Sequence, residues 1–410
     1  MENPFQFGRE LGADELVNRV EEVAEVLTTI RTGGKLFLTG ARRYGKTSIL
    51  KAAADRATAS GALVLRYNAE AYPTLDLLVR VMVADTARLS RGGIERTAES
   101  IKRFFVRLRP EISYDFNEGT WSATLATADH TTDAPEKQIA LLVDAFNAVE
   151  SFAAEQPKSR RTGLIIDEFQ RIIEVGGASA EAQIRAAVQQ HKNVGYIFAG
   201  SKTRMLTEMT TDATRPFYRL GSLRFIGEIP RQEFADFLIM NFTASNFLIE
   251  AKENTDADHG VGQARDTEPA AIAAILDLAE QVPYNVQLLA HICWEMLAAQ
   301  KSKPTLSVEL VTQALERVTR RYDPFYTQLW NALTAIQQKT LITVIAEGGT
   351  GMQKGSVARS VGKGVATVQQ ALRALEGRDI LRQEEATGTV RYRFEDPFFD
   401  AWIRLFAAKL

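Results

Sequence analysis

Short apolar runs alternate with segments of helical periodicity over the first 230 residues. Val20, Val23, Leu27 and Ile30 recur at the spacing of an amphipathic helix, which predicts a helix over residues 19–31. The apolar runs are short enough to be buried strands and lie at residues 35–39, 62–67, 163–167, 194–200 and 223–229. A helical run at residues 138–152 precedes the third of them. Strands that alternate with helices predict an α/β core around a parallel sheet.

An insertion interrupts this alternation between the second and third apolar runs. Residues 111–116 and 120–125 alternate apolar and polar side chains on either side of an Asn-Glu-Gly turn, which predicts a β-hairpin near residues 105–127. A basic run at residues 102–109 leads into it. The hairpin could contact DNA, a partner protein or a neighbouring protomer, and the alternative is a merely solvated insertion.

The pattern becomes helical after Pro230. A polar stretch at residues 253–268 interrupts the helices and reads as a flexible loop. Further on, two short helices around a Gly-Lys-Gly turn predict a helix-turn-helix, and two alternating segments that follow predict a wing. A helix is predicted first at residues 327–346. The two short helices lie at 356–361 and 366–375, and the two segments of the wing lie at 380–384 and 389–394. We therefore predict three domains, a core at 1–230, a helical lid at 231–322 and a winged helix at 323–410.

Length and composition set limits on the class of protein. The chain has 410 residues, more than one hydrophobic core usually serves, and its formal net charge of −2 argues against a wholly basic nucleic-acid-binding chain. The single cysteine, Cys293, excludes an intramolecular disulfide, and the four histidines have no metal-ligand spacing. We find no apolar stretch long enough to cross a bilayer and no signal peptide, so we expect a cytoplasmic protein with no membrane partner.

A glycine-rich segment follows the first predicted strand. It has the phosphate-loop pattern G-x-x-x-x-G-K-T and comprises Gly40, Ala41, Arg42, Arg43, Tyr44, Gly45, Lys46, Thr47 and Ser48. The glycines allow a tight turn whose N–H groups point at phosphates, Lys46 supplies positive charge, and the Thr47 hydroxyl can ligate Mg²⁺. The helix formers that follow place a helix N-terminus beneath the phosphates. The segment therefore predicts a nucleotide site.

Two carboxylates end the third apolar run. Asp167 and Glu168 follow a Gly-Leu-Ile-Ile sequence that is typical of a central parallel strand, and such strands present ligand-binding groups at their carboxyl edge. We expect Asp167 to hold Mg²⁺ through water and Glu168 to orient and polarise the attacking water. The alternative is that the pair caps a helix.

The next apolar run ends in Ser201 and Lys202. Either residue is a candidate sensor of the γ-phosphate, and the alternative for Ser201 is an ordinary helix N-cap. Downstream, Arg215 and Arg219 could reach the nucleotide of a neighbouring subunit, because a guanidinium neutralises charge on a transferring phosphoryl group. The alternative for both is a solvated or salt-bridged surface arginine.

The motifs together resemble a known family. Residues 3–8, 18–22, 40–48, 167–170 and 392–399 are similar to those of the archaeal-type AAA-family ATPases, which are related to STAND signalling ATPases and to origin-recognition initiators. The resemblance implies an AAA+/ASCE-type P-loop NTPase core, a helical lid and a C-terminal winged helix, with ATP as the nucleotide. It also implies that Asn18, Arg19, Pro283 and Tyr284 line the nucleotide. No arginine follows Pro283 before Lys301, so a lid sensor arginine of the general AAA+ type is missing.

The predicted winged helix supplies a second candidate activity. Its second helix would enter the major groove of double-stranded DNA, with Thr367, Gln370 and Arg373 on its outward side and Lys363 and Arg391 near phosphates. Winged helices also bind proteins, and acidic pairs at 384–385 and 395–396 dilute the positive face.

The sequence therefore favours a Mg²⁺-dependent ATPase whose nucleotide state controls assembly, as a homo-oligomer or with a partner protein, and DNA binding. The alternative is a STAND-like ATP switch that turns over little and acts through protein partners. A helicase is disfavoured, since no helicase motif accompanies the shared nucleotide elements.

Overall fold

The computed structural model describes residues 2–90, 112–115, 120–123, 135–250, 268–301, 304–386 and 389–407. These residues form two compact units. One is Glu10–Gly227, and the other joins Met1–Arg9 to Glu228–Leu410. The observed boundary at residue 227 lies close to the predicted one at 230, but the assignment of the first nine residues to the C-terminal unit has no counterpart in the predicted division.

A parallel sheet forms the centre of the unit Glu10–Gly227. Its described strands are β1 Lys35–Thr39, β2 Leu63–Asn68, β5 Thr162–Asp167, β6 Val194–Gly200 and β7 Ser222–Phe225. They lie in the order β2-β5-β6-β1-β7, and each neighbouring pair is parallel. The predicted α/β core is confirmed, and the last strand ends four residues earlier than its apolar run.

Helices join these strands and cover the sheet. They are α1 Val20–Thr32, α2 Lys46–Ala59, α3 Leu75–Ser90, α4 Pro135–Glu155, α5 Gln170–Val188 and α6 Thr203–Thr211. Two glycines explain how closely α1 packs. A Cβ atom on Gly195 would lie 2.4 Å from the Thr29 carbonyl oxygen, and one on Gly163 would lie 2.8 Å from the Ile30 side chain. The missing side chains let the helix rest directly on β5 and β6.

The predicted hairpin is present as a two-stranded antiparallel ladder. Strands β3 Ile112–Asp115 and β4 Thr120–Ala123 pair residue by residue, from Ile112 opposite Ala123 to Asp115 opposite Thr120. The turn between them and the basic run at 102–109 lie outside the described residues, as does most of the polar stretch at 253–268.

A buried polar cluster lies where β1 and β6 begin, at the end of the sheet away from the phosphate loop. His191 is 6% exposed, and its ring nitrogens contact the Tyr196 hydroxyl at 2.6 Å and the Asn147 amide oxygen at 3.0 Å. The Lys35 ammonium donates to the His191 carbonyl at 2.6 Å. Burial lowers the pKa of His191, nearby Glu150 opposes this shift, and Lys35 adds to it.

We expect this histidine to make the fold acid-sensitive. Its pKa lies below the unfolded value of 6.5, so the unfolded chain takes up the proton first. The stabilisation is complete above pH 6.5 and is lost as the pH falls from there through the folded pKa. Thermal unfolding between pH 8 and pH 5 measures the loss. His191→Gln should flatten that profile, and an unchanged slope would contradict the assignment.

The second unit contains the lid and the winged helix. Its first helices are α7 Arg231–Ala244, α8 Ala270–Leu278, α9 Pro283–Ala298 and α10 Val308–Arg321, and two-residue strands β8 Leu248–Ile249 and β9 Thr305–Leu306 pair in parallel. The first residues of the chain pack here. Phe5 is fully buried with its ring 4.6 Å from that of Phe242, and the His291 ring contacts the Phe5 carbonyl at 2.7 Å.

The winged helix follows with one correction to its first helix. The single helix predicted near 327–346 is two helices, α11 Asp323–Asn331 and α12 Ala335–Ala346. A capping box causes the break, because the Thr334 side chain accepts from the Gln337 N–H while the Gln337 side chain accepts from the Thr334 N–H. The next four elements match the prediction. They are α13 Gly355–Val361, α14 Val365–Gly377, β10 Leu381–Ala386 and β11 Thr389–Phe394. A last helix, α15 Pro397–Trp402, has no counterpart in the prediction.

An ionic cluster joins the lid to the base of the wing. Arg382 and Arg393 lie directly opposite each other on β10 and β11, a like-charge pairing that is unfavourable by itself. The Glu280 carboxylate, in the turn between α8 and α9, lies 3.4 Å from Arg393 and 3.7 Å from Arg382. Glu384 contacts the same two guanidinium groups. The carboxylates offset the repulsion and tie the lid turn to the wing.

Candidate functional site

The phosphate loop has the backbone that anion binding requires. It begins where β1 ends at Thr39, and a Cβ atom on Gly40 would lie 2.5 Å from the Ile226 carbonyl oxygen, so only glycine fits. Arg43 and Gly45 have positive φ angles of 70° and 88°, and helix α2 begins at the next residue, Lys46. A loop of this kind turns successive N–H groups toward one point at a helix N-terminus.

The Lys46 side chain lies over this loop. It is 5% exposed, and its ammonium donates to the carbonyl oxygens of Gly40 at 2.8 Å and Ala41 at 2.9 Å. An ammonium in this position can also bond an anion, and a charge-assisted bond to an anion is stronger than a bond to a neutral carbonyl. The position suits a lysine that moves onto phosphate oxygens.

Thr47 and Asp167 meet although 120 positions separate them in the chain. The Thr47 hydroxyl donates to Asp167 Oδ2 at 2.8 Å, and Asp167 is 2% exposed. Burial raises the pKa of Asp167, the Thr47 hydrogen bond opposes the shift, and the neighbouring Glu168 adds to it. A hydroxyl and a carboxylate side by side are hard oxygen donors of the kind that Mg²⁺ prefers, so the residues present fit that ion.

Glu168 is held at the end of β5 by donors from β6 and α5. Its Oε2 atom accepts from the Ser201 N–H at 3.2 Å, the Ser201 hydroxyl at 2.9 Å and the Gln170 side-chain amide at 2.5 Å. Its φ angle of 51° lies in the left-handed region, where a non-glycine residue is uncommon. Glu168 and Ser201 therefore lie together at the carboxyl edge of the sheet. Their roles in hydrolysis and in sensing the γ-phosphate stay predictions.

Both capping alternatives are wrong. Helix α5 begins at Gln170 with Phe169 as its N-cap and no side-chain cap bond, so neither Asp167 nor Glu168 caps it. Helix α6 begins at Thr203 with Lys202 at the N-cap position, and Ser201 bonds Glu168 instead. The Lys202 ammonium pairs with Glu174 at 2.5 Å, so it is engaged on the surface of its own unit.

The two residues that the resemblance places at the base and ribose, Asn18 and Arg19, both have left-handed backbone, with φ angles of 57° and 71°. The Arg19 guanidinium is buried and donates to the carbonyl oxygens of Gly227 at 2.6 Å and Tyr44 at 3.4 Å. Arg19 therefore braces the phosphate loop directly.

The predicted lid residues begin helix α9 in the other unit. Pro283 is the first residue of that helix, and the ring of Tyr284 packs edge-on against Phe7, with 6.0 Å between the ring centroids. Their contact with nucleotide stays a prediction, as do the nucleotide contacts of Asn18 and Arg19.

The two candidate arginines have different surroundings. Arg215 forms a two-pronged ion pair with Glu181, which is 2% exposed, so its guanidinium already neutralises a buried carboxylate. Arg219 is exposed and lies over the Tyr218 ring, 5.1 Å from its centroid. Within the described part of the chain, Arg219 has no ion pair. The surroundings of Arg215 match the alternative of a salt-bridged residue, and Arg219 is the better candidate for action in trans.

The predicted DNA-contacting residues lie on one element and its neighbours. Helix α14 buries Val368, Leu372 and Leu375, and its opposite side carries the exposed Gln370 and Arg373 with the half-buried Thr367. Lys363 is exposed in the preceding turn. Arg391 is exposed on β11, where its Nε atom donates to the Gly348 carbonyl at 3.0 Å.

Comparison with known proteins identifies the architecture. No family model and no curated protein matches the chain. A solved Walker-type ATPase of Pyrococcus abyssi superposes with a TM-score of 0.58 at 14% identity, covering 98% of this chain and 99% of that one. The chain therefore shares the fold of that Walker-type ATPase. The ORC2 protein of Aeropyrum pernix, solved with ADPNP and ADP, has a TM-score of 0.51 at 16% identity, covering 99% and 98% of the two chains. The predicted AAA-type fold is thereby confirmed.

One observation bears on membranes. Among the residues described, no helix combines the length and the apolar character needed to span a bilayer.

Proposed function

We propose that the protein binds ATP and hydrolyses it with Mg²⁺. One observation carries the proposal, namely that Lys46, the Thr47–Asp167 pair and Glu168 stand together where β1 and β5 end. Each of these groups has a distinct part in phosphoryl transfer to water. The fold shared with a Walker-type ATPase, and with a protein solved with ADPNP and ADP, supports the choice of nucleotide.

The side chains at this site have separate roles in binding and hydrolysing ATP. Lys46 exchanges the Gly40 and Ala41 carbonyls for oxygens of the outer phosphates, and the loop N–H groups hold the phosphate chain. Thr47 and Asp167 would hold Mg²⁺, the first directly and the second through water, and the bound ion would neutralise charge that develops on the phosphates. Glu168 orients the attacking water and accepts its proton.

Ser201 has the geometry to link hydrolysis to the γ-phosphate. Its hydroxyl and N–H both hold Glu168, and it stands at the carboxyl end of the strand beside β5. A phosphate that competes for the Ser201 hydroxyl would change the hold on Glu168. We therefore assign Ser201 as the residue that senses the terminal phosphate.

The winged helix supports a second part of the proposal, that the nucleotide state governs binding of double-stranded DNA. The outward face of α14 carries Gln370 and Arg373, side-chain types that read base edges in the major groove. Steady-state ATP turnover with and without duplex DNA tests this part. Stimulation by DNA supports it. Tight nucleotide retention with negligible turnover supports the STAND-like switch that acts through protein partners.

Charge reversal at two arginines should weaken DNA binding. We expect Arg373→Glu with Arg391→Glu to reduce duplex affinity by at least about tenfold, since a lost phosphate or base contact costs about 1–3 kcal/mol. Fluorescence anisotropy against salt concentration measures it, and wild-type binding should fall steeply with salt.

The matched control for this pair is Arg320→Glu with Arg321→Glu, which makes the same charge change at the end of α10. Equal losses in both double variants would indicate a general charge effect. Salt-insensitive binding, or none, would make the winged helix a protein-docking module.

Arg219 is proposed to complete the site of a neighbouring subunit in a homo-oligomer. Arg219→Ala should lower turnover on the order of a thousandfold without changing ATP affinity, since a trans-acting guanidinium stabilises only the transition state. Mixing this variant with Glu168→Gln protein should restore part of the activity, because each partner supplies what the other lacks.

Arg215→Ala is the matched comparison. It should instead lower the thermal midpoint, because Glu181 would be left buried and unpaired at a cost of about 1–3 kcal/mol. Turnover that is independent of protein concentration, in a species that stays monomeric with ATP, would rule out the trans role.

A further inference from the structure

Gln170 is a buried polar residue to which neither the sequence motifs nor the proposed reaction gives a role. It begins helix α5 and is 2% exposed. Its amide nitrogen donates to Glu168 Oε2 at 2.5 Å, while its amide oxygen is buried and has no hydrogen-bond partner among the described residues. Leucine or methionine would fill a similar volume without an unpartnered oxygen, so packing alone does not account for glutamine here.

The glycine at the end of β6 makes room for this side chain. A Cβ atom on Gly200 would lie 2.1 Å from the Gln170 amide oxygen and 2.7 Å from the Leu206 side chain. Gly200 has no positive φ angle to explain it, so close approach is the reason that fits. The ends of β5 and β6 are thus shaped jointly around Glu168, with Ser201 on one side and Gln170 on the other.

The donors divide the two oxygens of Glu168. Three groups donate to Oε2, namely the N–H and the hydroxyl of Ser201 and the side-chain amide of Gln170. This leaves Oε1 as the carboxylate oxygen that can accept a hydrogen bond from water. Donors from two separate elements also restrict rotation of the carboxylate, on a residue whose left-handed backbone is itself unfavourable. A carboxylate whose rotation is restricted in this way has less conformational freedom to lose when water attacks.

We propose that Gln170 is a positioning residue for hydrolysis, and that Gly200 is the residue that admits it. Gln170 holds Glu168 through Oε2 so that Oε1 faces the attacking water. This inference rests on the proposed ATPase function and assigns a further residue to the same site.

The first test is Gln170→Met, which keeps the volume and removes the donor. Turnover should fall about 10- to 100-fold, in steady state and with prebound ATP in a single turnover, while ATP affinity stays within about twofold. In protein that already carries Glu168→Gln, the same change should have no further effect, because the carboxylate it positions is gone. If Gln170 were merely structural, its replacement would lower activity and ATP affinity in both backgrounds.

Thr210→Val, a buried polar change on α6, is the control and should leave turnover unchanged.

The second test needs no turnover. Gly200→Ala should lower the thermal midpoint, because the added Cβ atom would lie 2.1 Å from the Gln170 amide oxygen and 2.7 Å from the Leu206 side chain. In protein that already carries Gln170→Ala the same change should lower the midpoint less, a partial rescue, because only the Leu206 contact remains. Failure of this rescue would overturn the placement of Gln170. Wild-type turnover in Gln170→Met, with turnover lost in Glu168→Gln, would overturn the positioning role alone. Turnover that survives Glu168→Gln would overturn the proposed base and this inference with it.

Discussion

Replacement of Lys46 by alanine should abolish tight ATP binding. The ammonium now bonds two loop carbonyls and is the charged group placed to meet the outer phosphates. Its removal forfeits a charge-assisted contact worth about 1.5–3 kcal/mol, which is roughly a 10- to 100-fold loss in affinity or more. Titration calorimetry with ATP and Mg²⁺ measures the change directly.

The matched control is Lys51→Ala. Lys51 lies on the same helix, is partly exposed, and pairs with Asp55 at 2.7 Å. It has the same charge as Lys46 but does not bond the phosphate loop. Its affinity for ATP should equal that of the wild type. Unchanged affinity of Lys46→Ala for ATP would contradict the assignment of the phosphate loop as the ATP-binding site.

Replacement of Glu168 by glutamine should separate binding from chemistry. The side chain keeps its shape, and an amide oxygen can still accept from Ser201 and Gln170, but it cannot take a proton from water. We expect ATP to bind normally and turnover to fall by about 10²- to 10⁴-fold. Single-turnover hydrolysis and an equilibrium titration on the same preparation provide both numbers.

A nearby carboxylate serves as the control for this change. Glu174→Gln on α5 removes a carboxylate that pairs with Lys202 and touches no phosphate-loop residue in the described structure, so turnover should persist. If Glu168→Gln also retains turnover, the catalytic base is another residue.

The sequence predicts the sheet and the phosphate loop well because both are encoded locally. An apolar run of five to seven residues that is buried on both faces can be little other than a central strand, and β1, β5 and β6 are buried in this way. The residues of the pattern G-x-x-x-x-G-K-T themselves determine the backbone conformation of the phosphate loop. The meeting of Thr47 with Asp167 then follows, because parallel strands end at one edge.

Other features depend on contacts between distant residues and leave little trace in a local pattern. The helical periodicity around Thr334 is continuous and by itself predicts one helix. The break is found only when the capping box at Thr334 is considered as well. Gln170 reads as an ordinary helix former, since the space that Gly200 leaves for it comes from another strand. Arg215 and Arg219 look alike in sequence, and only the position of Glu181 distinguishes them.

The pairing of the first nine residues with the C-terminal unit has a consequence for synthesis in the cell. Phe5 is fully buried against residues that leave the ribosome only after Glu228, so at about 5–20 residues per second it waits on the order of ten seconds or more. The unit Glu10–Gly227 is continuous and can fold within that interval. Protection of the Phe5 segment from a protease therefore reports folding of the unit that contains residues after Glu228, although this segment is synthesised before Glu10–Gly227.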